Sequence, residues 1–217
     1  MSENVSFSGI CIVSCGTMRP EIDVLQEEGY LDAEKILFTA PGLHEWRREL
    51  EKQLPNQLEK AKSHAEHIVV LYGERCYMDA KDPMRVTQAL IDEACPGAVR
   101  IDAATCVDML ADTETREKLA GGDRVWWCTP GWVKNWDFIF KDWDRGQANE
   151  MFPGHDRAVM LDSIGYFNIL MEENPEKILE ISDWMGLPLE PMEISFDRFK
   201  NLLENAAGRV RAGSKEE

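Results

Sequence analysis

The chain has 217 residues, 44% of them hydrophobic, and a formal net charge of -16 from 40 acidic and 24 basic side chains. That length and apolar content support one compact domain with a sizeable core. The negative balance repels phosphate backbones, and no window gathers a dense run of Lys and Arg, so nucleic acid is not an expected partner.

At the start of the chain, Met1 to Ser8 lacks the basic start and long apolar core of a secretory signal. Further on, every apolar run is cut by charge or Pro well short of the roughly 18 residues of a membrane span. A cytoplasmic protein without a membrane partner is therefore expected. Short apolar runs alternate with longer amphipathic stretches, the pattern of βαβ units. Strands are predicted at Ile10–Ser14, Lys35–Thr39, Ile68–Leu71, Val99–Asp102, Val125–Cys128 and Ala158–Leu161. Their continuous Val, Ile and Leu content, without strict alternation, suits a parallel sheet buried on both faces.

Between the strands, Leu43–Ala65 reads as a long helix with Leu43, Trp46, Leu50, Leu54 and Leu58 on one face, kinked or divided at Pro55. Further helices are predicted at Pro83–Ala94, Thr105–Ala111, Thr113–Leu119 and Val133–Lys141. Pro175–Met185 reads as another, with Asn174 as N-cap and Gly186 closing it in the left-handed conformation. Glu193–Ser195 is expected as a short edge strand and Phe196–Ala206 as the last helix. The expected architecture is a single-domain, Rossmann-like three-layer α/β fold with a mostly parallel sheet over residues 1–207. A polar tail over 208–217 is expected to fray.

Six cysteines in a reducing compartment read as free thiols or ligands rather than as a disulfide framework. Their positions carry the information. Cys15 directly follows the first predicted strand, and Cys76 follows Ile68–Leu71 across Tyr72-Gly73-Glu74-Arg75. Cys106 lies just beyond Val99–Asp102, and Cys128 ends Val125–Cys128. Carboxyl ends of parallel strands share one edge of the sheet, where ligand sites collect. His44, in the turn opening the long helix, joins them if Lys35–Thr39 is also parallel. A zinc ion, or another divalent transition metal, takes about four ligands of thiolate and imidazole type. Cys15, His44, Cys76 and Cys106 make such a set, and an open position would let the metal activate a thiol or water.

The alternative is that these thiols are small buried hydrophobes. Cys11, mid-strand, and Cys95, at a helix end, fit that description best. No CxxC or close CxxH pair occurs, so the metal reading rests on topology rather than local spacing. His64 and His67 read as helix-to-strand boundary residues, and His155 as a polar loop residue. Trp126, Trp127, Trp132 and Trp136 cluster around the turn Thr129-Pro130-Gly131-Trp132, as an aromatic wall for a ligand or as core. Cys128, Gly131, Trp132, Tyr72 and Asp162 are the candidates for lining such a pocket, with Asp156 and Tyr166 at the same edge. The G-x-G-x-x-G and Walker A patterns are absent, so nicotinamide and ATP are not supported.

At these residues the sequence resembles the domain of unknown function 1638 family. That pattern has a Cys after the first strand, a Leu-His before a helix, Tyr-Gly-x-Cys, an Asp-Cys-Ile segment and a Thr-Pro-Gly-Trp turn. The counterparts are Cys15, Leu43-His44, Tyr72-Gly73, Thr105-Cys106-Val107 and Thr129-Pro130-Gly131-Trp132, across roughly Ile10 to Tyr166. Cys76 stands one residue later than the pattern, and Thr105 replaces its Asp. Members of the family often occur beside corrinoid-dependent methyltransferase genes in anaerobes. The resemblance therefore implies a role in corrinoid-linked one-carbon or methylated-compound metabolism, where a metal held by these Cys and His residues would suit methyl transfer or thiol activation on a small-molecule substrate. Two other readings stand beside it. One is a non-catalytic accessory or metallochaperone that binds a metal or a corrinoid protein. The other is a metal-free enzyme with Cys15 or Cys106 as nucleophile and His44 as base.

Overall fold

The computed structural model describes residues 5–213. The first residues of the Met1–Ser8 stretch and the end of the expected tail, 1–4 and 214–217, lie outside the described residues. The strands are β1 (Ile10–Ser14), β2 (Lys35–Phe38), β3 (His67–Leu71), β4 (Val99–Arg100), β5 (Val125–Cys128), β6 (Arg157–Asp162) and β7 (Leu189–Glu193). All pair in parallel, in two sheets ordered β2-β1-β3-β4 and β5-β6-β7. The α/β, Rossmann-like class stands, with the strands shared between two sheets rather than held in one.

The three-layer arrangement follows from the side-chain alternation of buried strands. On β1, Ile10 and Ile12 enter one hydrophobic cluster, while Cys11 and Val13 enter another on the opposite face. β3 divides likewise, with Val69 and Leu71 on one side and Ile68 and Val70 on the other. Leu50, Leu54 and Leu58 of the helix Arg47–Ala61 cover the second face. Ile22 and Leu25 of the helix Arg19–Glu27, with Phe199, Leu203 and Val210 of the helix Asp197–Gly213, cover the first. A third cluster packs helices of the second half against β6 through Ala158 and Met160.

The departures from expectation have local causes. The predicted helix Leu43–Ala65 begins as a 3-10 turn, Leu43–Glu45, and continues as Arg47–Ala61. Pro55 lies inside without dividing it, because the buried leucines on either side hold both halves to the sheet. β4 stops at Arg100 because that guanidinium donates to the Ile101 and Ala103 carbonyls and curls the chain away. β7 precedes the predicted Glu193–Ser195. It holds Pro191, which an edge strand tolerates because one side needs no ladder donor. In place of Val133–Lys141 there are two short helices, Pro130–Lys134 and Trp136–Ile139. Helices Arg19–Glu27, Arg145–Met151 and Tyr166–Glu173 were not anticipated. The last helix runs to Gly213 rather than fraying from 208, because Ala207 and Val210 are buried on its inner face. Pro175–Met185 and its left-handed Gly186 are as expected, although Asn174 makes no side-chain capping bond.

The two sheets meet through their strand-end turns. A β-carbon on Gly131, after β5, would overlap the backbone carbonyl of Thr17, after β1. A β-carbon on Gly73, after β3, would overlap the Ala104 carbonyl in the same way. Only glycine permits these approaches. Gly131→Ala is therefore expected to force the sheets apart and lower the melting temperature. Gly208→Ala, inside the last helix with open space around it, should stabilise by about 0.5–1 kcal/mol. Thermal unfolding of the two variants checks this; equal melting temperatures would contradict it.

Candidate functional site

In the order β2-β1-β3-β4, β2 and β3 lie on opposite sides of β1, so the chain reverses direction across the sheet there. Such a switch point opens a crevice beyond the carboxyl ends of the strands. Cys15 follows β1 at this crevice, its N–H donating to the Leu71 carbonyl at 3.3 Å. The turn carrying Cys76 is fixed to the segment before Cys106. Glu74 and Arg75 donate their N–H groups to the Ala103 and Ala104 carbonyls, each at 2.9 Å. Thr105 then caps the helix Cys106–Leu110, accepting from the Asp108 N–H at 3.4 Å.

The structure thus brings Cys15, Cys76 and Cys106 into one electrostatic group. Burial pushes the Cys106 thiol up to about 12, the Trp132 N–H opposes that rise, and charge on Cys15 and Glu21 adds to it. Burial also pushes Cys76 well above the ordinary thiol range, with charge on Cys106 and Cys15 adding. The Cys15 sulfur accepts from Thr17 Oγ1 at 3.1 Å. Tyr72 is fully buried, and its hydroxyl is hydrogen-bonded to Thr39. All six cysteines are free thiols. Among the described residues, no group of three or more His, Cys, Asp or Glu side chains is arranged to hold a metal ion as it stands.

Beside the thiols lies a cavity of about 200 Å³. Cys76, Cys106 and His44 line it, together with Arg75, Trp126 and Trp132. Trp132 is the link between the two halves of the molecule. Its Nε1 donates to Cys106 Sγ at 3.3 Å, and its ring lies 5.0 Å from that of His44, centroid to centroid. His44 also meets Glu45, with Nε2 and Oε1 3.3 Å apart. The two readings of the tryptophans hold together. Trp126 and Trp132 line the cavity and meet edge-on; Trp126 also packs edge-on against Trp136 and Phe152, and Trp132 at a tilt against Phe140.

Other expected residues fall elsewhere. Cys128 is buried behind the site, its thiol raised by burial and then by charge on Cys106. Gly131 serves the close packing on Thr17 rather than the cavity wall. Asp162 does not line the cavity; its carboxylate accepts the N–H groups of Ile164, Tyr166 and Phe167 at the start of the helix Tyr166–Glu173. Cys11 and Cys95 are buried, as core residues should be. His155 sits in a loop against the Phe152 carbonyl, and Asp156 is held at about 2 by hydrogen bonds and charge from Arg124.

Glu21 was not singled out by the sequence, although Pro20 in the first turn of its helix marks a helix start. Its side chain is fully buried, and neither carboxylate oxygen has a hydrogen-bond partner. Burial, helped by charge on Asp162 and Asp23 and opposed by Lys134, pushes it up to about 8. It is a neutral acid at neutral pH, within electrostatic reach of Cys106.

A family model described as "Protein of unknown function (DUF1638)" matches residues 38–203, well over half of the chain. The chain belongs to this family. The DUF1638 segment contains His44, Tyr72, Cys76, Cys106 and Trp132, whereas Cys15 and Glu21 precede it. No curated protein and no solved structure matches the chain.

The Glu21 environment has a measurable consequence. Its folded-state value lies above the unfolded one, so the folded protein keeps a proton that the unfolded chain gives up. Stability is therefore lost as pH rises between about 4.5 and about 8. Glu21→Gln removes this titration, so its stability relative to wild type is expected to grow across that window by a few kcal/mol and then level off. Chemical unfolding at pH 5, 6.5 and 8 checks it; parallel curves would contradict it.

Proposed function

We propose that this chain binds a soft or borderline divalent metal ion, zinc first among them, through Cys15, Cys76 and Cys106 with His44 as fourth donor. It would use that site on a small sulfur- or methyl-bearing substrate admitted to the adjoining cavity. The observation that carries this reading is that three thiols, from three separate strand ends, lie within electrostatic reach of one another, two of them on the wall of a cavity. Their softness and number, with an imidazole near by, suit zinc. Burial and mutual repulsion keep Cys76 and Cys106 protonated, and a cation among them would reverse both effects. The hydrogen bonds from Thr17 to Cys15 and from Trp132 to Cys106 are of the kind that outer-shell groups give to metal-bound sulfur. The donors would have to draw together on binding, since as they stand no such group is in place among the described residues. When bound, the ion would keep a substrate thiol deprotonated near neutral pH. Trp126 and Trp132 would exclude water from that thiol.

The resemblance to DUF1638 supports placing this chemistry in corrinoid-linked one-carbon or methylated-compound metabolism. A reducing cytoplasmic compartment would suit six free thiols. An accessory role toward a corrinoid protein would draw on the acidic surface, and capture of that protein would then weaken with added salt. No helix among the described residues is long and apolar enough to cross a membrane. One observation favours a second reading, a metal-free thiol protein. Cys15 already has a hydroxyl donor at its sulfur, from Thr17, without a cation.

Anaerobically purified protein is expected to retain about one zinc per chain, and Cys106→Ser to weaken zinc binding at least 10-fold. Cobalt substitution should give thiolate charge-transfer absorption that the variant lacks. Substoichiometric metal, unchanged in Cys106→Ser, together with alkylation that is fast at Cys15 and indifferent to chelators, would favour the metal-free reading.

A further inference from the structure

The cavity wall holds an arginine in a strongly acidic molecule. The chain has 40 acidic side chains and a net charge of -16. Yet the cavity is lined by Arg75 and His44 together with thiols, a hydroxyl and apolar side chains, and by no carboxylate. Several other arginines of this chain are claimed by acids: Arg85 meets Glu93 at 2.7 Å and Asp79 at 3.7 Å, and Arg157 meets Asp123 and Glu190, each at 3.0 Å. Others, such as Arg100 and Arg211, are claimed by backbone carbonyls. Arg75 is exposed at the cavity and holds no carboxylate among the described residues. Its backbone is pinned through the bond to Ala104. The guanidinium is therefore a fixed-base, unpaired cation beside the thiols.

An arginine is always charged, and its planar fork matches an oxyanion with two parallel hydrogen bonds. In an acidic protein such a group left unneutralised at a cavity is a site for a negative charge brought by something else. Trp126, Trp132 and Val107 give the same cavity an apolar lining. The space, about 200 Å³, holds roughly six or seven waters' worth of ligand.

We propose that the cavity selects small ligands that carry a carboxylate or similar oxyanion at one end, bound by Arg75, with an apolar stem lying against Trp126 and Trp132 and the reactive end at Cys76 and Cys106. Arg75 sets specificity and takes no part in the chemistry. This rests on the reading of the cavity as the substrate site, but not on the presence of a metal.

Binding of a matched set of probes tests it, read by quenching of tryptophan emission and checked by calorimetry, on protein both chelator-treated and zinc-loaded. The set is 3-mercaptopropionate, its neutral alcohol 3-mercapto-1-propanol, the cationic thiol cysteamine, and thiol-free propionate. The mercaptopropionate is expected to bind about 10- to 100-fold more tightly than the alcohol, the range of one charge-assisted pairing, and cysteamine most weakly. Arg75→Gln should bring acid and alcohol within about twofold of each other while leaving the alcohol's affinity unchanged, and Arg75→Lys should keep part of the difference. Propionate binding without any thiol response would uphold the oxyanion site and overturn the thiol-site reading. Equal affinity for acid and alcohol, or a preference that survives in Arg75→Gln, would overturn the proposal.

Discussion

The contact of Thr17 with Gly131 decides where the functional side chains lie. It presses the turn after β1 of one parallel sheet onto the turn after β5 of the other, with no side chain between the backbones. From that approach Trp132, the next residue, reaches the Cys106 sulfur and lies tilted against His44. Gly73 does the same within the first sheet, laying the Cys76 turn against the segment that leads to Cys106. Two backbone contacts thus convert four strand ends into one site. A crevice at a switch point is a general feature of parallel α/β sheets. Here it is roofed by a tryptophan from a second sheet.

The seam so formed is costly. Glu21 lies fully buried without a partner for either oxygen, and Tyr72 is buried with its hydroxyl committed to Thr39. Burial of an unpaired polar group costs stability. A core optimised for stability alone would carry apolar residues at these places. Concentration of such groups at the meeting of the sheets, and not in the outer layers, is what separates a working site from ordinary packing. The unpaired arginine at the cavity belongs to the same pattern, since its charge is left open where ion pairing elsewhere in the chain is common.

Much of this was legible in the residues themselves. Ile10–Ser14 and Val125–Cys128 are strands with the expected bounds, because a short apolar run ending in Cys-Gly or Cys-Thr-Pro is both buried and sharply punctuated. The placement of Cys15, Cys76 and Cys106 followed from parallel pairing alone. The helix Arg19–Glu27 escaped because its polar residues hide a narrow stripe of Ile22 and Leu25, and with it went Glu21. The division into two sheets could not be read from strand patterns, which do not say which edges pair. Asp162 looked like a site residue from its strand-end position, but its side chain turned to the free N–H groups of the next helix. Arg75 looked like part of a turn; that its guanidinium meets no carboxylate among the described residues is visible only in the tertiary structure.

The central claim is that three cysteines from separate strand ends act as one site. X-ray absorption at the zinc edge, on anaerobically prepared and zinc-loaded protein, tests it most directly. The account predicts a shell of about three sulfurs near 2.3 Å with one lighter donor near 2.0 Å, reduced by one sulfur in each of Cys15→Ser, Cys76→Ser and Cys106→Ser. A shell of light donors alone, or a sulfur count unmoved by these substitutions, would contradict it.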